Sequence, residues 1–344
     1  MPVPTNDRDL ELEEPGNEAA GPSASRRAQL RAWMLRRRSI LVRVAIAIVA
    51  MTAILLFNPS FFGWGFAVAA MIIAVPISRF RAYAAAFLPY GGAWLGFTLL
   101  RSLADETGVQ LRTTQVTAIE RTMFGGVTPT IWLQSHLFDP VHIHWYDYVT
   151  TFIHWSYFFV PHVAAIIMWR KAPDHYRRYL IATVITLGMG LVVYFLSPAA
   201  PPWLTADRAP QQDIYRVMAN VGRDLNSSLY DRTYSALGDP NPVAAMPSLH
   251  EAITFLVFLF SLRAGWKVSV PMGIYAVAMA FSLVYTGEHY VIDTLVGASI
   301  ATYAYLYSGR WLTFTAPIFQ LVNRRTAPLI PHAPVASQGT GLGD

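Results

Sequence analysis

Two short segments decide the predicted fold and site: Pro247-Ser248-Leu249-His250 and, about forty residues later, His289-Tyr290-Val291-Ile292-Asp293. Each lies where a polar stretch of the chain enters a hydrophobic one. Such a junction favours a helix N-terminus, where backbone N–H groups and the helix dipole can bind a phosphate. The sequence therefore predicts two helix starts that can each meet an anion.

The residue types of the first segment suit a helix start. Pro247 fits the opening turn, where its missing N–H costs nothing, and Ser248 offers a hydroxyl and a free backbone N–H. We therefore predict that this helix end holds an anion, with Ser248 as a phosphate-binding residue.

The second segment pairs a histidine with a carboxylate. His289 and Asp293 are four residues apart, so on a helix they would share a face, and the carboxylate could fix the imidazole tautomer. Such a pair can act as a nucleophile with its orienting group. His250 would then be free to protonate a departing oxygen as a general acid. We predict His250, His289 and Asp293 as the catalytic residues.

Composition indicates a polytopic membrane protein. The 344 residues are 54% hydrophobic and only 14% charged, with a mean hydropathy of +0.35, which is too apolar for an ordinary soluble domain. The absence of cysteine excludes disulfides and thiolate metal sites. The net charge of +5 could suggest nucleic acid, but much of it is arginine beside hydrophobic segments. Membrane orientation explains that pattern better.

Eight apolar stretches are long enough to cross a bilayer, which takes roughly twenty residues each. They fall near 42–58, 62–78, 83–100, 149–169, 179–197, 247–263, 268–286 and 290–308. The third contains Pro89 and could be kinked or re-entrant. We predict an all-α protein with a six-helix core, divided into a disordered, basic-ended tail 1–38, two transmembrane helices within 39–82, a catalytic core 83–310 and a tail 311–344.

Charge in the connections predicts the orientation. If the N-terminus is cytoplasmic, every short inner connection is basic, as the positive-inside rule requires. The two long connections, about 101–147 and 198–246, then lie outside. An even number of spans separates the two motifs, so both are expected at the extracytoplasmic face of the plasma membrane.

At these residues the sequence resembles the type 2 phosphatidic acid phosphatase superfamily, whose hallmarks include Pro-Ser-Gly-His and Ser-Arg-x5-His-x3-Asp. Ser282, His289 and Asp293 keep the second spacing, whereas Leu249 stands where glycine is usual and Leu283 where the phosphate-binding arginine is usual. Pro-Ser-Leu-His without that arginine is similar to the branch of the fungal inositol phosphorylceramide synthases. The Ala-Pro-Pro-Trp element at 200–203 is similar to one in that branch.

The substituted leucines leave the phosphate charge without its usual partner. An in-line displacement builds charge on the equatorial oxygens, and fixed donors must stabilise it. We single out Arg121, because Glu120-Arg121 resembles an element of the same branch, and Arg232, which is nearest in sequence to Ser248. A solvated loop charge is the alternative for each outer arginine. These are Arg101, Arg112, Arg121, Arg208, Arg216, Arg223 and Arg232.

A second histidine cluster raises the question of a metal. His142, His144, Asp147 and His154 lie close together in the sequence, beside Trp145. Interfacial histidines next to aromatic residues are typical of an aromatic belt, and we prefer that interpretation. His154 is near enough to the outer end of its span to line the pocket.

The resemblance implies a lipid phosphotransferase that works through a phosphohistidine, with no metal or other cofactor. Its partners would be the membrane and a phospholipid or polyprenyl phosphate substrate, not nucleic acid. The branch favours transfer of a head-group phosphate, such as phosphoinositol, to a lipid or glycan. One alternative is a phosphatase acting on phosphatidate or on polyprenyl phosphates and pyrophosphates. Another is a non-catalytic lipid-binding protein, although the three catalytic residues are all present.

Overall fold

The computed structural model is all-helical across the part of the chain that it describes. These residues are 22–57, 80–103, 109–112, 114–208, 214–226 and 244–326, with single positions 69, 72, 73 and 230. Within them, β pairing is limited to isolated bridges that join Ala199 to Arg112 and to Ala244. The predicted all-α class is therefore confirmed.

Twelve α-helices and one short 3-10 turn account for these residues. They are α1 Pro22–Phe57, α2 Phe80–Arg101, α3 Thr114–Met123, α4 Pro129–Leu137, α5 Trp145–Ser156, α6 Val160–Lys171, α7 Pro173–Leu196, α8 Pro202–Arg208, α9 Val217–Leu225, α10 Leu249–Ser261, the turn Leu262–Ala264, α11 Trp266–Tyr285 and α12 Val291–Thr326.

Most of the predicted hydrophobic stretches coincide with helices, but the number of membrane crossings stays a prediction. By length and apolarity, α7 and α11 can each cross a membrane, and so can α5 and α6 if the pair forms one bent span. The stretch 62–78 lies almost wholly outside the described residues. Helices α1 and α12 also extend into the segments predicted as tails, to Pro22 and Thr326.

The predicted span 149–169 is broken rather than straight. Helices α5 and α6 meet at an angle of 48°. Pro161 in the first turn of α6 explains the break, because it has no N–H to continue the helix and its ring clashes with the carbonyl four residues earlier. By contrast, Pro89 lies inside the continuous helix α2.

Helix α7 lies at the centre of the bundle. It packs against α2, α6, α10 and α12, while α10 also packs against α11 and α12. The fully buried side chains at these contacts include Tyr179, Leu256, Met279 and Leu283. Since lipid is as apolar as these side chains, close packing and small residues at the contacts hold such helices together.

Gly297 is the closest of these contacts. A Cβ atom added there would lie 2.3 Å from the carbonyl oxygen of Ser248, so only glycine lets α12 approach the start of α10. We expect Gly297→Ala to lower the free energy of unfolding by about 1–3 kcal/mol, the usual cost of overpacking. The thermal midpoint of the purified protein measures the effect.

Gly188 in α7 supplies the matched control for that substitution. A Cβ atom there would meet nothing within 4 Å, so Gly188→Ala is expected to leave the midpoint unchanged or raise it slightly. Equal midpoints for the two variants would contradict the close contact between α10 and α12.

Candidate active site

The first motif begins α10 as predicted, although its details differ. Ser248 is the N-cap, and its hydroxyl accepts the Glu251 N–H at 3.3 Å. Pro247 therefore precedes the helix and does not occupy its first turn. The backbone N–H that we predicted to be free at Ser248 is engaged, because it donates to the Asp293 carbonyl at 3.0 Å. A role for Ser248 in phosphate binding stays a prediction.

The second motif spans a turn and a helix start, not one helical face. Gly287, at φ 81°, ends α11 in the left-handed region that glycine favours, and α12 begins only at Val291. His289 therefore lies in the turn, while Asp293 lies in the first turn of α12 and accepts the Tyr290 N–H at 2.9 Å. The two side chains are nevertheless close together, since His289 Nδ1 lies 3.6 Å from Asp293 Oδ2.

The bundle brings the two motifs together at one end. The Ser248 N–H to Asp293 carbonyl bond joins α10 directly to α12. The imidazole rings of His250 and His289 lie 5.8 Å apart, centre to centre. His289 and Asp293 are buried, and His250 is partly exposed. Two histidines and a carboxylate therefore lie close together at one end of the bundle.

The bend between α5 and α6 encloses His250. The rings of His154 and Tyr157 lie 4.5 Å and 4.3 Å from its ring. His154 was expected to line the pocket, and its buried ring contacts His250 from α5. The contact of Tyr157 was not predicted, because it depends on a bend that hydropathy does not reveal.

Comparison with known proteins agrees with this arrangement. A profile of the PAP2 superfamily matches residues 114–307, which contain both motifs and α3 to α11. The chain belongs to the PAP2 superfamily. It is also similar to a phosphoinositol dihydroceramide synthase of Bacteroides thetaiotaomicron, with 22% identity over 237 residues, 66% of this chain and 77% of that protein. No solved structure gives a significant match.

Membership identifies this PAP2 protein as a membrane-associated enzyme of the lipid phosphotransferase and phosphatase class. Its apolar helices agree with a membrane location. The predicted resemblance and enzyme class are thus confirmed.

The two departures from the PAP2 hallmarks are core residues in this protein. Leu249 packs its side chain against Gly190 of α7, where an added Cβ would lie only 2.8 Å from it. Leu283 is fully buried within the bundle. Neither side chain can neutralise a phosphate, so the positive charge must come from elsewhere.

The structure does not test the two arginines singled out from the sequence as phosphate-binding residues. Arg121 is exposed on α3, and Arg232 lies outside the described residues. Two other arginines of the long connections act on residues of the site. The charge of Arg101, at the end of α2, acts on His250, and Arg216 forms an ion pair with Glu288, the neighbour of His289.

The histidines near α5 do not form a metal cluster in the described ranges, where no three histidine or acidic side chains are arranged to hold an ion. Asp147 instead accepts the His144 N–H at 2.8 Å and so caps α5. Its other oxygen accepts the hydroxyl of Tyr285 at 2.5 Å, which joins α5 to α11.

Glu120 is a buried residue of the site region that sequence reasoning missed. One of its oxygens accepts the Val291 N–H, the first of α12, at 2.6 Å. The side chain is fully buried, and burial, together with the charge of Asp293, raises the pKa of Glu120 to about 7, although the Val291 bond opposes the shift. Glu120 therefore fixes the helix start that carries Asp293.

The raised pKa predicts a pH-dependent stability. The folded protein holds the Glu120 proton more tightly than the unfolded chain does, so the protonated side chain stabilises the fold. This stabilisation is complete below the pKa that Glu120 has in the unfolded chain, and it is lost as pH rises through about 7. Glu120→Gln keeps an acceptor for Val291 without the charge. We expect the thermal midpoint of this variant to lie above that of the wild type at pH 8 and to equal it at pH 4.

Glu120→Ala isolates the hydrogen bond from the charge. Compared with Glu120→Gln, it leaves the Val291 N–H without its acceptor, and we expect a loss of about 1–3 kcal/mol relative to that variant at both pH values. Asp174→Asn, at a side chain that is 93% exposed, is the control. A Glu120→Gln midpoint that follows the wild type at every pH would contradict the raised pKa.

Proposed function

We propose that this PAP2 enzyme transfers a phosphorylated head group between lipid or glycan substrates through a phosphohistidine, with phosphoinositol as the leading candidate for the group moved. The observation that carries the proposal is the 5.8 Å approach of the His250 and His289 rings, with Asp293 behind His289. A nucleophile with an orienting carboxylate and a separate acid are the groups that covalent phosphoryl transfer requires.

The first half of the reaction uses His289 as nucleophile. Its Nδ1 faces Asp293, so Nε2 is the nitrogen that attacks phosphorus. As the N–P bond forms and the P–O bond to the leaving alcohol breaks, His250 gives its proton to the departing alkoxide. Asp293 balances the positive charge that develops on the His289 ring.

The second half reverses the roles. An acceptor hydroxyl loses its proton to His250, and its oxygen attacks the phosphorus of the phosphohistidine. The N–P bond breaks, and His289 is regenerated with its electron pair. The guanidinium of Arg101, whose charge acts on His250, is our candidate for stabilising the equatorial oxygens. The scheme requires no metal.

Transfer, as opposed to hydrolysis, requires that an acceptor and not water reach the phosphohistidine. Apolar residues of the first long connection support this choice, because Phe124 and Trp132 are exposed and suited to the lipid interface. Such a surface can admit a lipid acceptor while it excludes water. The name of the Bacteroides relative, a phosphoinositol dihydroceramide synthase, favours the same reaction. Positive-inside charge favours the extracytoplasmic face.

The test is a transfer assay with purified enzyme in bilayers. A donor lipid labelled at phosphorus is supplied with and without lipid alcohol acceptors. We expect label in a new lipid product and little in water-soluble phosphate. Rapid release of phosphate that no acceptor suppresses would establish a phosphatase and overturn the transferase.

A further inference from the structure

Three side chains from distant segments meet beside His289, and the reaction scheme does not use them. Arg216 forms a two-point ion pair with Glu288, with N–O distances of 2.6 Å and 3.1 Å. Its guanidinium also lies over the Trp203 ring, 4.2 Å from the ring centre. We call Trp203, Arg216 and Glu288 the rim triad.

The backbone fixes the rim triad to the turn that carries the nucleophile. The Trp203 N–H donates to the Gly287 carbonyl at 3.1 Å, and the Val217 N–H donates to the Thr286 carbonyl at 3.2 Å. Glu288 directly precedes His289 in the chain. The triad therefore lies beside the turn that carries His289.

The charge of the triad indicates what kind of group it can bind. Because Glu288 neutralises Arg216, the pair presents no net charge and would gain little from a second anion. It nevertheless presents donors and acceptors side by side on an aromatic surface. A neutral group with several hydroxyls can use both kinds of partner, since each hydroxyl donates one hydrogen bond and accepts others.

Unused hydrogen-bonding capacity points the same way. The indole Nε1 of Trp203 is buried and has no acceptor among the described residues. A buried donor without a partner is costly, and a ligand oxygen commonly satisfies it. The Glu288 carboxylate can accept further bonds beyond the two from Arg216.

We infer that the rim triad binds the hydroxyls of a polyhydroxylated, uncharged ring or chain on the transferred head group. Glu288 accepts from these hydroxyls, Trp203 Nε1 donates to them, and Arg216 holds Glu288 in place. This inference rests on the proposed transfer function, because it assigns the head-group part of the donor to a subsite beside His289.

The test compares two phosphodiester donors that differ only in the head group: phosphatidylinositol and phosphatidylethanol with the same acyl chains. Both lose diacylglycerol as the leaving group, so the chemistry at phosphorus is matched. We expect Glu288→Gln to lower kcat/KM for phosphatidylinositol by about ten- to hundredfold, the loss for buried hydrogen bonds. For phosphatidylethanol we expect a change of less than about threefold.

A second variant keeps the inference testable if Glu288→Gln folds poorly. Trp203→Phe retains an aromatic ring and removes the indole N–H, and we expect the same selective loss for phosphatidylinositol. Asp174→Asn, on the exposed surface, should change neither donor. If kcat/KM fell equally for both donors, or fell in neither variant, the head-group subsite would be overturned, while the proposed transfer reaction would stand. A wild type that transfers from neither donor would overturn both proposals.

Discussion

His289→Ala should abolish turnover, with a fall in kcat of about 10⁴- to 10⁶-fold, the range found when a covalent nucleophile is removed. The imidazole is the group that bonds to phosphorus in the proposed scheme. His289 lies in a turn whose backbone is held by bonds from its own N–H and from the Glu288 N–H to the Leu283 carbonyl, each at 3.1 Å. The fold should therefore survive the substitution.

A control histidine shows whether the fall in kcat is specific to His289 or follows the removal of any histidine side chain. His142 suits this purpose because its side chain is 80% exposed. His142→Ala should leave kcat unchanged, with both variants measured in the same lipid donor assay. Substantial activity in His289→Ala, or an equal loss in His142→Ala, would contradict the assignment of the nucleophile.

His250→Ala should slow turnover by about two to four decades, as expected for removal of a general acid and base. The acid is needed only because the leaving alkoxide is a strong base. In a donor with a nitrophenol leaving group, the nitrophenolate is a weak base and can leave without receiving a proton. For that donor, the initial release of nitrophenol should be nearly as fast in the variant as in the wild type.

The same comparison tests the alternative that His250 only packs against its neighbours. Its ring contacts those of His154 and Tyr157, which is the geometry that a purely structural role would need. Loss of packing would slow both donors equally, because it would disturb the site whatever the leaving group. An equal loss for the two donors would therefore remove His250 from the acid role.

Local sequence signals predicted the parts of the structure that depend on short-range chemistry. Hydropathy located the helices of the bundle, because a long apolar run is helical in lipid. Serine before a run of apolar residues predicted the start of α10, and the even number of spans between the two motifs predicted that they would meet at one end. The contact between the Ser248 N–H and the Asp293 carbonyl bears this out.

The sequence was less informative about contacts that depend on the whole bundle. The bond from Val291 to Glu120 joins residues 171 positions apart, and the pair of Arg216 with Glu288 joins residues 72 positions apart. No local pattern tells which charge of a long connection reaches the pocket. Arg121 was singled out by resemblance, but its neighbour Glu120 is the buried one.

Turn geometry explains the error about the second motif. Four-residue spacing suggested one helical face for His289 and Asp293, but the left-handed Gly287 ends the preceding helix, and α12 starts after Tyr290. Gly287 is required there, since an added Cβ would lie 2.8 Å from the Tyr215 carbonyl oxygen. The turn places the His289 ring 5.8 Å from the His250 ring.

The central claim is that phosphorus becomes bonded to His289, and the direct test is to trap that bond. Wild-type enzyme is mixed with a donor labelled at phosphorus, stopped within one turnover in alkali and digested. We predict an acid-labile, alkali-stable label on the peptide that contains His289, and no label on the same peptide from His289→Ala. Label on a different residue, or catalytically competent wild-type enzyme that never carries label during turnover, would contradict the account.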